Sequence, residues 1–137
     1  MVTVNVSHEV PEQRMRDLLT TALAGGSNYW YTIDEDRTVF AEGLCYEDFR
    51  EGGKCTLKEY HHPLELIPFH EGCKLCILDK EERDKAYWLD REKLIAGLQI
   101  MATKYPRHFH DMLNENDDAA TGDTYLQCCL FGEAVYG

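Results

Sequence analysis

Three stretches of this 137-residue sequence bring reactive side chains close enough together for chemistry. Cys73-Lys74-Leu75-Cys76 is a CxxC, with His61, His62 and His70 upstream. Such residues suggest zinc, but a structural zinc site needs four converging Cys or His ligands. If residues 72–79, GCKLCILD, form a strand, Cys73 and Cys76 point to opposite faces and cannot ligate one ion together. There is no second CxxC or HxxxH to complete a site, and no evident helix follows the motif as in a thioredoxin-like redox pair, so no metal is expected. Arg107-His108-Phe109-His110 combines a cation, two imidazoles and an aromatic ring. A nucleophile would have to come from a cysteine or from Ser7 or Ser27, and nothing local orients one against either histidine. Binding is the simpler role, with Arg107 on a phosphate and Phe109 or Tyr105 stacked on a base. Glu115, Asp117, Asp118 and Asp123 are acidic but lack the spacing and the glycine of an EF-hand. Carboxylates ahead of a helix serve first as caps that complement its dipole.

A fourth stretch, Gly25 to Tyr31 (GGSNYWY), carries no catalytic group but has the shape of a binding element. Glycine adopts the left-handed conformation that ends many helices, so Gly25-Gly26 reads as an exit from a helix into a strand. Along that strand Trp30 faces away from Tyr29 and Tyr31. Two readings stay open. Trp30 is either the large core residue behind the turn or an aromatic platform on which a planar group stacks.

The rest of the chain must position these residues. With 44% apolar and 28% charged residues it reads as one soluble domain, 1–137, able to bury an ordinary core. No apolar run is long enough to span a bilayer, and the start, MVTVNVSHEVPEQ, lacks the basic-then-apolar layout of a signal peptide. A cytoplasmic protein is expected, with its six cysteines as thiols. The net charge of −11 opposes broad attraction to nucleic acid or an anionic membrane.

In chain order, VTVNV at 2–6 alternates as a strand does, and 11–24 reads as a helix with Met15, Leu18, Leu19, Ala22 and Leu23 on one face. A strand is expected over 28–33. Residues 37–62, broken by Gly43, Gly52 and Gly53, read as an irregular insertion. Pro63–Phe69 suggests a short edge strand, 72–79 a better one, and 79–85 a charged surface turn. Trp88-Leu89-Asp90 introduces the clearest helix, with Asp90 as N-cap, a Leu89–Leu94 staple, and Pro106 as its end. A short helix over 107–113 and a last one capped by Asp117 or Asp118 follow. The closing FGEAVYG is apolar enough to dock on the body. The expected fold is α+β, a small, mostly antiparallel sheet packed on about three helices.

ALAGGSNYWY near the start and ENDDAATGDTYLQCCLFGEAVYG at the close, with the strand and Leu-rich helix of 72–101 between them, resemble a widespread family of small phage and prophage proteins. Through the Trp of GGSNYW the family is also similar to the phage anti-Thoeris sponges, which sequester cyclic ADP-ribose-type immune signals without cleaving them. The resemblance implies a phage-encoded counter-defence protein of the host cytoplasm, not an enzyme and without a cofactor, that holds a cyclic nucleotide signal, with Trp30 walling the base. On chemical grounds Asn28 and Gln127 would supply amide contacts, Tyr29 and Phe109 aromatic surface, and Arg107 the phosphate cation. Such pockets are commonly built between protomers, which implies a homo-oligomer. The acidic charge counts against anion capture. It suggests the alternative of an anti-CRISPR-like nucleic-acid mimic that binds a host nuclease or effector directly, through carboxylates such as Asp34 to Asp36, Glu47, Asp48 and Glu51.

Overall fold

In the computed structural model the described residues are 1–49, 63–82 and 84–137. The first regular element is helix α1, Glu12–Thr21, which buries Met15, Leu18 and Leu19. It does not end on left-handed glycines as expected. It widens into a π-helical turn, Ala22–Gly26, and neither Gly25 nor Gly26 has a positive φ. The need for glycine at 26 is steric: a Cβ there would lie 2.5 Å from the carbonyl oxygen of Ala119.

Strand β1 covers only Tyr31–Ile33, because Asn28 to Trp30 remain in a turn closed by Trp30 N–H donating to Ser27 O at 3.0 Å. It pairs antiparallel with β2, Leu75–Asp79, and β2 pairs antiparallel with β3, Ala86–Leu89, giving the order β1-β2-β3. The register sets Thr32 against Leu78 and Cys76 against Trp88. The charged segment after Asp79 is therefore a hairpin connection, and Trp88-Leu89 belongs to a strand rather than to the approach to a helix. Leu75, Cys76 and Ile77 are all buried, as befits the middle strand.

Helix α2, Arg91–Lys104, starts where Asp90 accepts from Lys93 N–H at 3.0 Å. Pro106 stops it and opens α3, Pro106–Leu113, since proline is tolerated at a first helical position. Helix α4, Ala119–Phe131, carries a full capping box: the Asp118 carboxylate accepts from Thr121 N–H at 3.0 Å, and Thr121 Oγ1 accepts from Asp118 N–H at 3.3 Å. It is buried nearly all round, with Asp123, Tyr125, Leu126, Gln127, Cys128 and Cys129 inside, as expected of a central helix. Gly97 lets α2 approach it closely; a Cβ at 97 would fall 2.3 Å from Cys129 Sγ.

The architecture is α+β with an antiparallel sheet, and the described residues form four α-helices rather than three. Two expected strands are absent. Residues 2–6 join no sheet, with Val2, Val4 and Val6 exposed, because an alternating segment becomes a strand only beside a partner edge. Pro63–Phe69 forms 3₁₀ turns that bury Leu66, Ile67 and Phe69. Pro63 and Pro68 lock φ and lack ladder donors, which suits a 3₁₀ turn and disfavours a strand. The described start of the 37–62 segment is irregular, as expected, apart from a single bridge from Val39 to Lys74 and a 3₁₀ turn at Tyr46–Phe49. Its remainder lies outside the described residues. Among the described residues no helix is long and apolar enough to cross a membrane.

Candidate functional site

The two sequence blocks at either end of the chain meet in one polar knot. Asp123 and Gln127 stand one turn apart on the same face of α4. Asp123, only 8% exposed, accepts four hydrogen bonds from neutral donors. Ser27 Oγ and Trp30 Nε1 each donate to Oδ1 at 2.7 Å, Gln127 Nε2 joins them at 3.1 Å, and Tyr29 OH donates to Oδ2 at 2.6 Å. A buried carboxylate is tolerable only when its lone pairs are satisfied in this way.

The final residues lie over this knot as a strap. Gln127 Oε1 accepts from Val135 and Tyr136 N–H at 2.6 and 2.7 Å, while its Nε2 donates to Tyr136 O at 3.2 Å. The Tyr136 ring stacks on Trp30 at 5.7 Å between centroids with planes 21° apart, and its hydroxyl donates to Asp79 Oδ2. Phe131 meets the indole from another side at 5.2 Å. Of the two readings of Trp30, the structure realises the core residue. At 1% exposure the indole is not an open platform, because Tyr136 covers its face and Asp123 holds its N–H.

Tyr29 is half exposed with its hydroxyl in the knot, and its phenol is pushed up to about 12, by burial first and then by the hydrogen bond to Asp123. Asn28 is exposed beside the knot, and its carbonyl oxygen accepts from Lys80 Nζ at 2.5 Å. Tyr29, Trp30 and Gln127 thus meet at Asp123, with Asn28 next to them in the chain. Arg107 and Phe109 do not join them.

Phe109 lies instead in a groove of about 500 Å³ between the N-terminal segment, α1, α2 and α3. Its ring meets the His8 ring edge-on at 5.6 Å. Met15, Ile95, Leu98 and Ala102 supply apolar walls, Gln99 an amide, and Arg91 a guanidinium ion-paired to Glu12. Ile95 is 52% exposed there. Arg107 is exposed on α3 outside the groove lining. The volume lies within the range of small-molecule pockets, roughly 300–1,000 Å³.

The remaining motifs fall out of the site. Among the described residues no cluster of His, Cys, Asp and Glu could hold a metal. Cys73 and Cys76 are buried, Cys73 Sγ accepting from Ala41 N–H at 3.3 Å; His61 and His62 lie outside the described residues. His108 Nδ1 sits 3.1 Å from Thr121 Oγ1, in the capping box rather than beside a thiol. Burial raises the Cys128 thiol to about 11 and pushes Cys129 higher still, so both stay protonated near neutrality. Of the acidic array, Asp34 is paired with Arg37 at 2.6 Å, Asp48 accepts from Cys45 N–H at 2.8 Å, and Glu51 lies outside the described residues.

Sequence reasoning overlooked Asp123 as a hub, Tyr136 as its cover, and His8 and Arg91 as groove walls. One signal was present: an Asp and a Gln four apart on an otherwise apolar helix face must satisfy each other or a third group. Compared with protein-family models, curated proteins and solved structures, the chain matches none.

Proposed function

We propose that the protein is a stoichiometric binding protein of phage counter-defence that captures a cyclic ADP-ribose-type or related cyclic nucleotide signal without cleaving it, acting in the host cytoplasm as a homo-oligomer. The observation that carries this reading is the groove: a concavity of nucleotide size with an aromatic wall at Phe109 and His8, an amide at Gln99 and a guanidinium at Arg91. The base would lie against Phe109, with Gln99 hydrogen-bonding its edge or a ribose. The diphosphate would draw Arg91 away from Glu12, which offers a local positive charge inside an acidic chain. Capture needs only these contacts.

Calorimetric titration with a panel of cyclic ADP-ribose isomers and cyclic oligonucleotides tests this, with the ligand recovered intact after denaturing the complex. Phe109→Ala should abolish the heat while leaving the fold in place, and Glu12→Gln should tighten binding by freeing Arg91. No heat from any member of the panel, or recovery of a cleaved product, would sink the reading.

A further inference from the structure

The strap over Trp30 resembles a ligand more than a tail. Only one of its side chains, Tyr136, enters the body; Glu133, Ala134 and Val135 are exposed. Gln127 grips its backbone through both ends of one amide, as a neighbouring strand would, and such contacts are indifferent to side-chain identity. Recognition therefore falls on the ring, stacked on Trp30 beside Phe131, and on the hydroxyl that reaches Asp79. The strap leaves α4 through Gly132, whose left-handed φ of +76° makes it a natural pivot. The hydrogen bond to Asp79, then burial, then the charges of Asp79, Glu81 and Glu82 hold the Tyr136 phenol well above its ordinary value.

We infer that the Trp30–Gln127–Asp79 slot is an autoinhibited peptide site, which reads an unmodified tyrosine on an extended, basic segment of a protein partner and is occupied by the chain's own strap until that segment displaces it. The basic character follows from the Asp79 and Glu81 carboxylates at this end of the slot, where Glu82 is paired with Lys85 and Lys80 is held on the Asn28 carbonyl, and from the chain's net charge of −11. A phosphotyrosine is excluded, because its phosphate would meet the Asp79 carboxylate where the hydroxyl now donates. The slot shares no residue with the groove, so either site stands if the other fails.

The test uses a fluorescein-labelled peptide, KKAVYGKK, and fluorescence anisotropy with the full chain and with a chain lacking residues 133–137. A strap tethered in cis acts at an effective concentration of about millimolar, so for a segment bound at about 10 μM the shortened chain should bind ~100-fold more tightly than the full chain. KKAVAGKK and the phosphotyrosine form of the peptide should not bind, and EEAVYGEE should bind several-fold more weakly. A shortened chain that keeps its helical circular dichroism and thermal transition yet ignores the peptide, or binds the alanine peptide equally well, overturns the inference. If the shortened chain does not fold, hydrogen exchange of the intact protein decides. The Val135 and Tyr136 amides should exchange at least ~10-fold faster than that of Leu126 in α4, because the strap opens locally. Equal protection would make the strap a permanent part of the core and end the proposal.

Discussion

The knot beneath the strap and the groove between α1, α2 and α3 are built from similar residues and treat them in opposite ways. In the knot the polar groups are engaged: Asp123 takes four donors, Gln127 uses both ends of its amide, and the Trp30 ring is stacked upon. In the groove Ile95 stands half in water, the N-terminal segment crosses without regular structure, and Arg91 is held by a single exposed ion pair. Satisfied, buried polar networks rigidify a fold, because any unmade bond there costs a full desolvation penalty. Partly open apolar surface contributes little to folding and remains free for a ligand. The aromatic block that drew attention in the sequence is thus closed by its own strap, and the candidate for nucleotide capture lies elsewhere.

If that contrast is right, substitutions in the knot cost stability and substitutions in the groove cost binding. The largest effect belongs to Asp123→Ala, which strands Ser27 Oγ and the indole N–H in the interior. At about 1–3 kcal/mol for each buried donor left unpaired, the loss should be about 3–5 kcal/mol by denaturant unfolding. A loss under about 1 kcal/mol would show that water or another group satisfies those donors and that the knot is not the brace described here.

Gly97→Ala comes next, because its new methyl would overlap Cys129 and push α2, which carries groove residues, off α4. About 1–3 kcal/mol is expected, together with weaker ligand binding, and a variant of unchanged stability would mean the two helices pack less closely. Ile95→Ser should alter stability by no more than about 0.5 kcal/mol, since the site is half exposed and the two residues have similar helix propensity. It should nevertheless weaken capture; a large stability loss would erase the distinction between the two regions.

A pH titration sharpens the knot side further. Tyr29 and Tyr31 are each raised from 10.0 to about 12, chiefly by burial, with the hydrogen bond to Asp123 added for Tyr29 and the charge of Glu65 for Tyr31. A phenol whose folded value is raised stabilises the fold fully below pH 10 and loses that contribution as pH rises through about 12. Phenolate absorbance should therefore show a late step near pH 12 that coincides with alkaline unfolding and shrinks in Tyr29→Phe. Titration of all eight tyrosines together near pH 10 would contradict the buried hydrogen bond.

Local rules served well wherever a short stretch decides its own conformation. Asp90 and Asp118 cap α2 and α4 as their positions before apolar runs required, Pro106 separates two helices, and the docked terminus followed from its apolar content. They failed wherever a partner decides. VTVNV has the alternation of a strand and no strand beside it, whereas Ala86–Leu89 forms one because β2 lies within reach. Asp123 was one acidic residue among four until α4 turned it inward against Trp30, while Asp118, five residues earlier, remained a surface cap.

By itself the sequence determined that this chain is acidic, free of long apolar spans, and α+β, and where most of its helices begin and end. Those properties depend on composition and on contacts within a few residues. Only the tertiary structure decided that Trp30 is covered rather than open, that Gln127 holds the strap, and that Phe109 and Arg107 part from the residues they were grouped with. The first two are contacts across 8 to about 100 residues of sequence, set by how α4 packs and not by the character of any single segment.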